Sequence, residues 1–154
     1  MSSPAEQLLT EPLVVARAAT FAVVLLVLYV GHQVGDHVAQ TDHQAEGKAE
    51  AGGRGWRAMA GHLFGYHLTL LVLLLGTTTL LGLPLSWTGL GAGLGFSLAT
   101  HGLLDRRWPV RAILRATGSP RFAELTTPVS GMYAADQALH LAALLISALL
   151  IVGL

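Results

Sequence analysis

Apolar residues fall into long runs, and the polar positions between them are few enough to place individually. From Ala58 to Leu104 the chain contains no Asp, Glu, Lys or Arg. A helix crossing the hydrocarbon core needs ~20 apolar residues, so this run is too long for one crossing and holds two. Gly82-Leu83-Pro84, followed by Ser86, forms the break, because glycine favours turns and proline ends helices. The pattern therefore predicts helices over about 58–81 and 85–105. Ahead of them, Pro12 to Gly35 carries only Arg17, and behind them Gly131 to Leu154 carries only Asp136. These flanking runs predict helices over about 12–37 and 131–153. The expected fold is all-α, an integral membrane four-helix bundle forming a single domain over residues 1–154.

Composition supports a membrane setting and removes several alternatives. The chain is 53% apolar and 12% charged, against roughly 25% charged residues in a soluble domain. Its formal net charge is zero, which leaves no basic surface at domain scale. The expected partner is a lipid bilayer, and nucleic acid is excluded. The absence of cysteine removes disulfides, thiolate metal sites and cysteine nucleophiles. Glu6 and Glu11 precede the first apolar run where a cleaved signal would carry basic residues, so that helix is expected to be retained.

Basic residues set the expected orientation. Lys48, Arg54 and Arg57 lie between the first two helices. Arg106, Arg107, Arg111, Arg115 and Arg121 lie in the connection over 106–130, and the turn at 82–88 has no basic residue. Cytoplasmic loops carry the excess of Lys and Arg, so both basic connections are expected inside and both termini outside. The stretch Val110–Thr117 is further expected to form a short helix at the membrane surface.

The polar residues within the apolar runs carry the chemistry. His32 and Asp36 close the first helix, and His101 and Asp105 close the third with the same His-x-x-x-Asp spacing. Residues four apart share a helix face, so each pair presents an imidazole and a carboxylate together. His62 lies in the first turns of the second helix; Asp136, Gln137 and His140 lie in those of the fourth. Given the expected orientation, all four sets come to a similar depth near the cytoplasmic face, as one shared site would require. The two halves also echo each other, which two parallel helix-pair repeats would produce.

Ionisable groups inside a membrane are costly and usually face the interior of a bundle. His32, Asp36, His62, His101, Asp105, Asp136 and His140 therefore stand as candidate metal ligands. Nitrogen and oxygen donors without sulfur suit a divalent metal, zinc first, with iron or manganese as alternatives. Seven groups exceed one tetrahedral shell, so some support the ligands or the site holds two ions. A hydrogen-bonded network joining the helices without metal is the competing reading. His37 points off the shared face, His43 lies in a polar segment expected as a solvated loop, and His67 sits five residues past His62. All three are left outside the ligand set. Gly91 and Gly95, in G-x-x-x-G spacing, and Gly61 and Gly65 are expected to let helices approach closely or to mediate dimerisation.

The run His32-x-x-x-Asp36-x-x-x-Gln40-Thr41 with Lys48 downstream, then His62, then His101-x-x-x-Asp105-Arg106-Arg107, resembles a group of small bacterial membrane proteins, the domain of unknown function 3307 family. The Asp136-Gln137-x-x-His140 opening of the last helix fits the same pattern. The resemblance implies a small polytopic protein of the bacterial inner membrane that shares these polar positions, and it implies no reaction or cofactor. The residues themselves point to a membrane-embedded, metal-dependent enzyme, hydrolase-like, acting on a lipid-like or amphipathic small molecule at the cytoplasmic side. One alternative is a metal-ion or proton transporter or channel component using the same cluster, with a homo-oligomeric pore supplying the path. Another is a structural assembly subunit that uses the basic connection for partners.

Overall fold

The computed structural model describes residues 12–154, and every regular element within them is helical. The expectation resting on Glu6 and Glu11 lies outside the described residues. In chain order the helices are α1 Pro12–His37, α2 Asp42–Gly47, α3 Gly52–Leu80, α4 Trp87–Leu104, α5 Trp108–Ala116 and α6 Gly131–Gly153, with a 3-10 turn at Pro120–Glu124 before α6. Three of them, α1, α3 and α6, are long and apolar enough to cross a membrane. Helix α4 has 18 residues, five of them glycine. At 1.5 Å per residue it reaches about 27 Å, just short of a ~30 Å core, and its composition is less apolar.

Helix α3 starts at Gly52, six residues ahead of the expected 58. The reason is that absence of charge marks the part of a helix inside the bilayer, not the end of the helix. Arg54 and Arg57 extend α3 beyond that part. Helix α4 starts at Trp87, two residues late, because Ser86 takes the cap position and its Oγ accepts the Gly89 backbone N–H at 2.8 Å. Pro84 fixes the turn just before it.

Helix α4 lies against α6, and α1 lies against both α3 and α6. Each long helix buries one stripe at helical spacing: Val24, Leu28, His32 and Asp36 on α1; His62, Tyr66, Leu70 and Leu74 on α3; Leu90, Ser97 and His101 on α4; His140, Leu144 and Ile151 on α6. The stripes are aliphatic at one end and His/Asp at the other, and those polar ends coincide. Large apolar side chains such as Leu26, Phe64, Val72 and Leu149 are exposed on the opposite faces, a pattern suited to lipid.

Glycine decides the close approaches; of the expected positions Gly61 makes one, a Cβ there standing 2.9 Å from the Gln44 side chain, and Gly65 does not. A Cβ on Gly35 would stand 2.8 Å from the Tyr66 ring and 3.3 Å from its Cα, so α1 meets α3 here only because the residue is glycine. On α4 it is Gly89 and Gly93 that face α6, against the backbone of Ile151 and Ser147, whereas Gly91 and Gly95 look into open space. The packed G-x-x-x-G pair is thus shifted by two residues from the expected one. The buried stripe runs through Leu90, Gly93 and Ser97, and this puts Gly91 and Gly95 on the far side.

Candidate metal centre

The polar ends of four helices build one cluster. Asp36, His62, His101 and Asp105 are buried, and each offers a donor atom within 4.8 Å of the other three. His62 Nε2 is the hub: it lies 2.9 Å from His101 Nε2, 3.3 Å from Asp36 Oδ1 and 3.1 Å from Asp105 Oδ2. His101 Nε2 is 3.2 Å from Asp105 Oδ2 and 3.9 Å from Asp36 Oδ1. Ligands ~2.05 Å from a tetrahedral ion stand about 3.3 Å apart along each edge. The observed spacings scatter around that edge, so these residues could hold a metal ion.

Asp105, Asp136 and His140 form a second, overlapping group. Six of the seven expected ligands therefore fall into the two groups. His32 lies beside them with both ring nitrogens engaged. Its Nε2 bonds Gln137 Oε1 at 3.0 Å and its Nδ1 bonds the Tyr66 hydroxyl at 3.0 Å. Because Gln137 Oε1 only accepts, the proton sits on Nε2, and Nδ1 accepts from Tyr66. Gln137 then turns its Nε2 donor to Asp36 Oδ2 at 3.4 Å, so His32 acts on Asp36 through that amide. Its ring also stacks on His140, with centroids 5.3 Å apart. His37 bonds the exposed Tyr133 hydroxyl, His43 is exposed, and His67 donates to its own helix at Leu63. None of these three enters either group.

Three contributors go beyond the His/Asp inventory. Tyr66 stacks on His101, with ring centroids 3.8 Å apart, while donating to His32, and so fixes two imidazoles at once. Gln137 joins α6 to α1 as described. The third is Lys48, whose ammonium lies 2.9 Å from Asp36 Oδ1, 3.0 Å from Asp105 Oδ2 and 3.2 Å from His62 Nε2. In the sequence it counts as one basic loop residue among several. A signal was present, however: it is the sole lysine beside eight arginines. Lysine delivers a compact point charge, where arginine brings a planar fork.

The segment between α1 and α3 is built to deliver that ammonium. The polar Thr41–Gln44 stretch, expected as a solvated loop, is a capped helix start. Thr41 Oγ1 accepts from the Gln44 backbone N–H, and Gln44 Oε1 accepts from the Thr41 N–H at 2.9 Å. This reciprocal box satisfies two otherwise free donors and starts α2 where the chain must turn back. Gln40 donates to the Asp36 carbonyl. Arg106 Nη1 donates to the Lys48 carbonyl at 3.0 Å, and its guanidinium sits 4.7 Å from the centroid of the Trp56 ring. The backbone of Lys48 is therefore held from the far side of the cluster.

A cleft of about 380 Å³ opens onto the centre, with Asp36, Lys48, Asp105, Arg107, Asp136 and Gln137 among its walls. Arg107 takes the left-handed conformation at φ 63° as the cap of α5. That costs a non-glycine residue ~1–2 kcal/mol, and strain of this kind collects where a sharp turn positions function. With neutral imidazoles, two carboxylates against one ammonium leave the buried centre one positive charge short. A proton on an imidazole or a bound cation makes up the difference.

No family model, curated protein or solved structure matches the chain. Its own fold defines its class: among the described residues it is all-helical, with three candidate membrane-spanning helices and a buried His/Asp cluster able to hold a metal ion.

Proposed function

We propose that the protein is a membrane-embedded, metal-dependent enzyme of hydrolytic type. It acts on a lipid-like or amphipathic small molecule that enters from the cytoplasmic side. The observation that carries the reading is the quartet Asp36, His62, His101 and Asp105, in which the five spacings that involve an imidazole run from 2.9 to 3.9 Å, around the edge of a tetrahedral shell. Zinc is the first choice for two imidazoles and two carboxylates, with iron or manganese next. A divalent ion there would lower the pKa of a bound water and polarise a scissile ester or anhydride. The cleft supports the reading because it joins the cluster to the surface, and Lys48 and Arg107 in its walls would orient an anionic headgroup.

In this reading α4 also crosses the membrane, completing a four-helix integral bundle in the bacterial inner membrane, with the basic connections inside and both termini outside. The resemblance to the domain of unknown function 3307 family accords with it. The quartet comes from a single copy, so the reading needs no homo-oligomer. Elemental analysis of chelator-stripped, zinc-reloaded protein beside a His62→Ala, His101→Ala double variant is the test. Stoichiometric zinc in the wild type, lost in a folded variant, is expected. Wild-type protein that cannot be loaded would leave only the hydrogen-bonded network.

A further inference from the structure

Asp105 caps the C-terminus of α4, and its two carboxylate oxygens face different groups. Oδ2 looks at His62, His101 and Lys48, at 3.0–3.2 Å. Oδ1 looks at His140 Nε2, 3.9 Å away. The state of His140 follows from its other nitrogen. Nδ1 lies 2.9 Å from the Asp136 backbone carbonyl, which can only accept, so the ring proton sits there. In the neutral ring Nε2 is then a bare lone pair. The residue is 2% exposed, and Nε2 is buried without a hydrogen-bond partner. A buried lone pair aimed at a carboxylate oxygen, with no proton between them, is two acceptors facing each other. Either a second proton on Nε2 or a cation resolves that juxtaposition, and the backbone bond at Nδ1 is the contact that commonly fixes a metal-ligating imidazole. The Asp136 carboxylate, whose Oδ2 lies 3.4 Å from His140 Nδ1, is the third member of this group of candidate ligands.

We propose that Asp105, Asp136 and His140 hold a second divalent ion, and that Asp105 bridges it to the first, making a dinuclear centre. The inference rests on the metal reading of the quartet and deepens it. The two ions differ in accessibility. The quartet offers four buried protein ligands, so its ion would take a water or substrate only by expanding to five-coordinate. The second group offers three, with Asp105 and Asp136 lining the cleft, which leaves a position for water or substrate as catalytic sites do. A shared carboxylate sets two ions ~3.5–4 Å apart, the separation at which both attacking and leaving oxygens of a phosphoester or related ester are clamped. The second ion would therefore be the more open of the two to substrate, beside the quartet ion.

The test counts ions. Protein in nanodiscs is stripped with chelator, reloaded with zinc alone, desalted and analysed for metal per chain. In parallel it is loaded with manganese(II) for electron paramagnetic resonance. Two zinc ions in the wild type, one in His140→Ala, and at least tenfold weaker binding of the second ion in Asp136→Asn are expected. A spin-coupled manganese signal in the wild type, uncoupled in His140→Ala, is the matching spectroscopic result. If His140→Ala does not fold, the wild-type count and its manganese spectrum decide alone. One ion per chain with an uncoupled spectrum overturns the second site while leaving the metal reading intact. No ion at all overturns both.

Discussion

Replacing Lys48 by methionine separates a metal centre from a salt-bridged network. The side chain keeps its length and loses its charge. In the wild type the ammonium contacts Asp36 and Asp105 at 2.9 and 3.0 Å, with the lysine side chain only 10% exposed. Removing one partner of a buried ion pair costs about 3–5 kcal/mol, because the remaining charge has neither water nor counter-ion. Here two carboxylates are stranded together, so metal-free Lys48→Met should unfold with a loss in the upper part of that range. A divalent ion held by the same two oxygens removes most of the penalty. By linkage, stability recovered on binding reappears as affinity. A recovery of about 3 kcal/mol corresponds to zinc binding roughly a hundredfold tighter than in the wild type. Thermal unfolding in detergent, with zinc or with chelator, reads the first quantity, and calorimetric titration reads the second. Equal destabilisation in both conditions, with unchanged zinc affinity, would refute the reasoning, since ion and ammonium would then not share Asp36 and Asp105.

Four further outcomes follow from the geometry. His32→Ala removes a positioning residue and not a ligand, so zinc should remain at full stoichiometry with affinity down about 10–100-fold; loss of the ion would make His32 a ligand. Gly35→Ala drives a methyl into Tyr66 and should cost about 1–3 kcal/mol in unfolding, while Gly91→Ala and Gly95→Ala should stay within about 0.5 kcal/mol. Zinc affinity should fall as the pH is lowered through the imidazole range, because imidazoles bind only when deprotonated; a flat profile across that range would argue for carboxylate ligation alone. Reporter fusions should place residues 106–125 inside and the C-terminus outside, and a cytoplasmic C-terminus would move the cluster to the outer leaflet.

The long helices and the convergence of His and Asp could be read from the sequence because each rests on a single strong signal. Charge-free runs reflect bilayer thickness, and a four-residue spacing reflects the helix repeat. What escaped depends on rotation and on side-chain reach. The phase of α4 decides whether Gly91 or Gly93 faces α6, and its glycines, too small to form an apolar stripe, leave that phase unmarked. His32 and His62 look equivalent in sequence. Only the placement of Gln137 and Tyr66 commits both nitrogens of His32 and leaves His62 Nε2 at the hub. Lys48 was visible as a charge but not as a buried one. Its position follows from the Thr41–Gln44 capping box and from Arg106, 58 residues further along the chain.

The distribution of buried polarity bears on whether the cluster transforms a substrate or passes an ion. A path through one copy would need exchangeable polar groups continuing beyond the cluster. Beyond Ser97, one turn from His101, the buried apolar positions are Val24, Leu28, Leu70, Leu74, Leu90, Leu144, Ala148 and Ile151. The buried hydroxyls of Thr20, Thr78 and Ser147 donate to Ala16, Leu74 and Ala143, backbone carbonyls one turn back on their own helices. A hydroxyl so committed satisfies itself and relays nothing. Among the described residues the far half is therefore an apolar plug, while the near half opens to the surface through the cleft beside Lys48 and Arg107. A site reached from one side only suits chemistry on a molecule that enters and leaves by the same door. Transport would require either a second copy or a rearrangement that separates Leu28, Leu70 and Leu144, which now pack into one core.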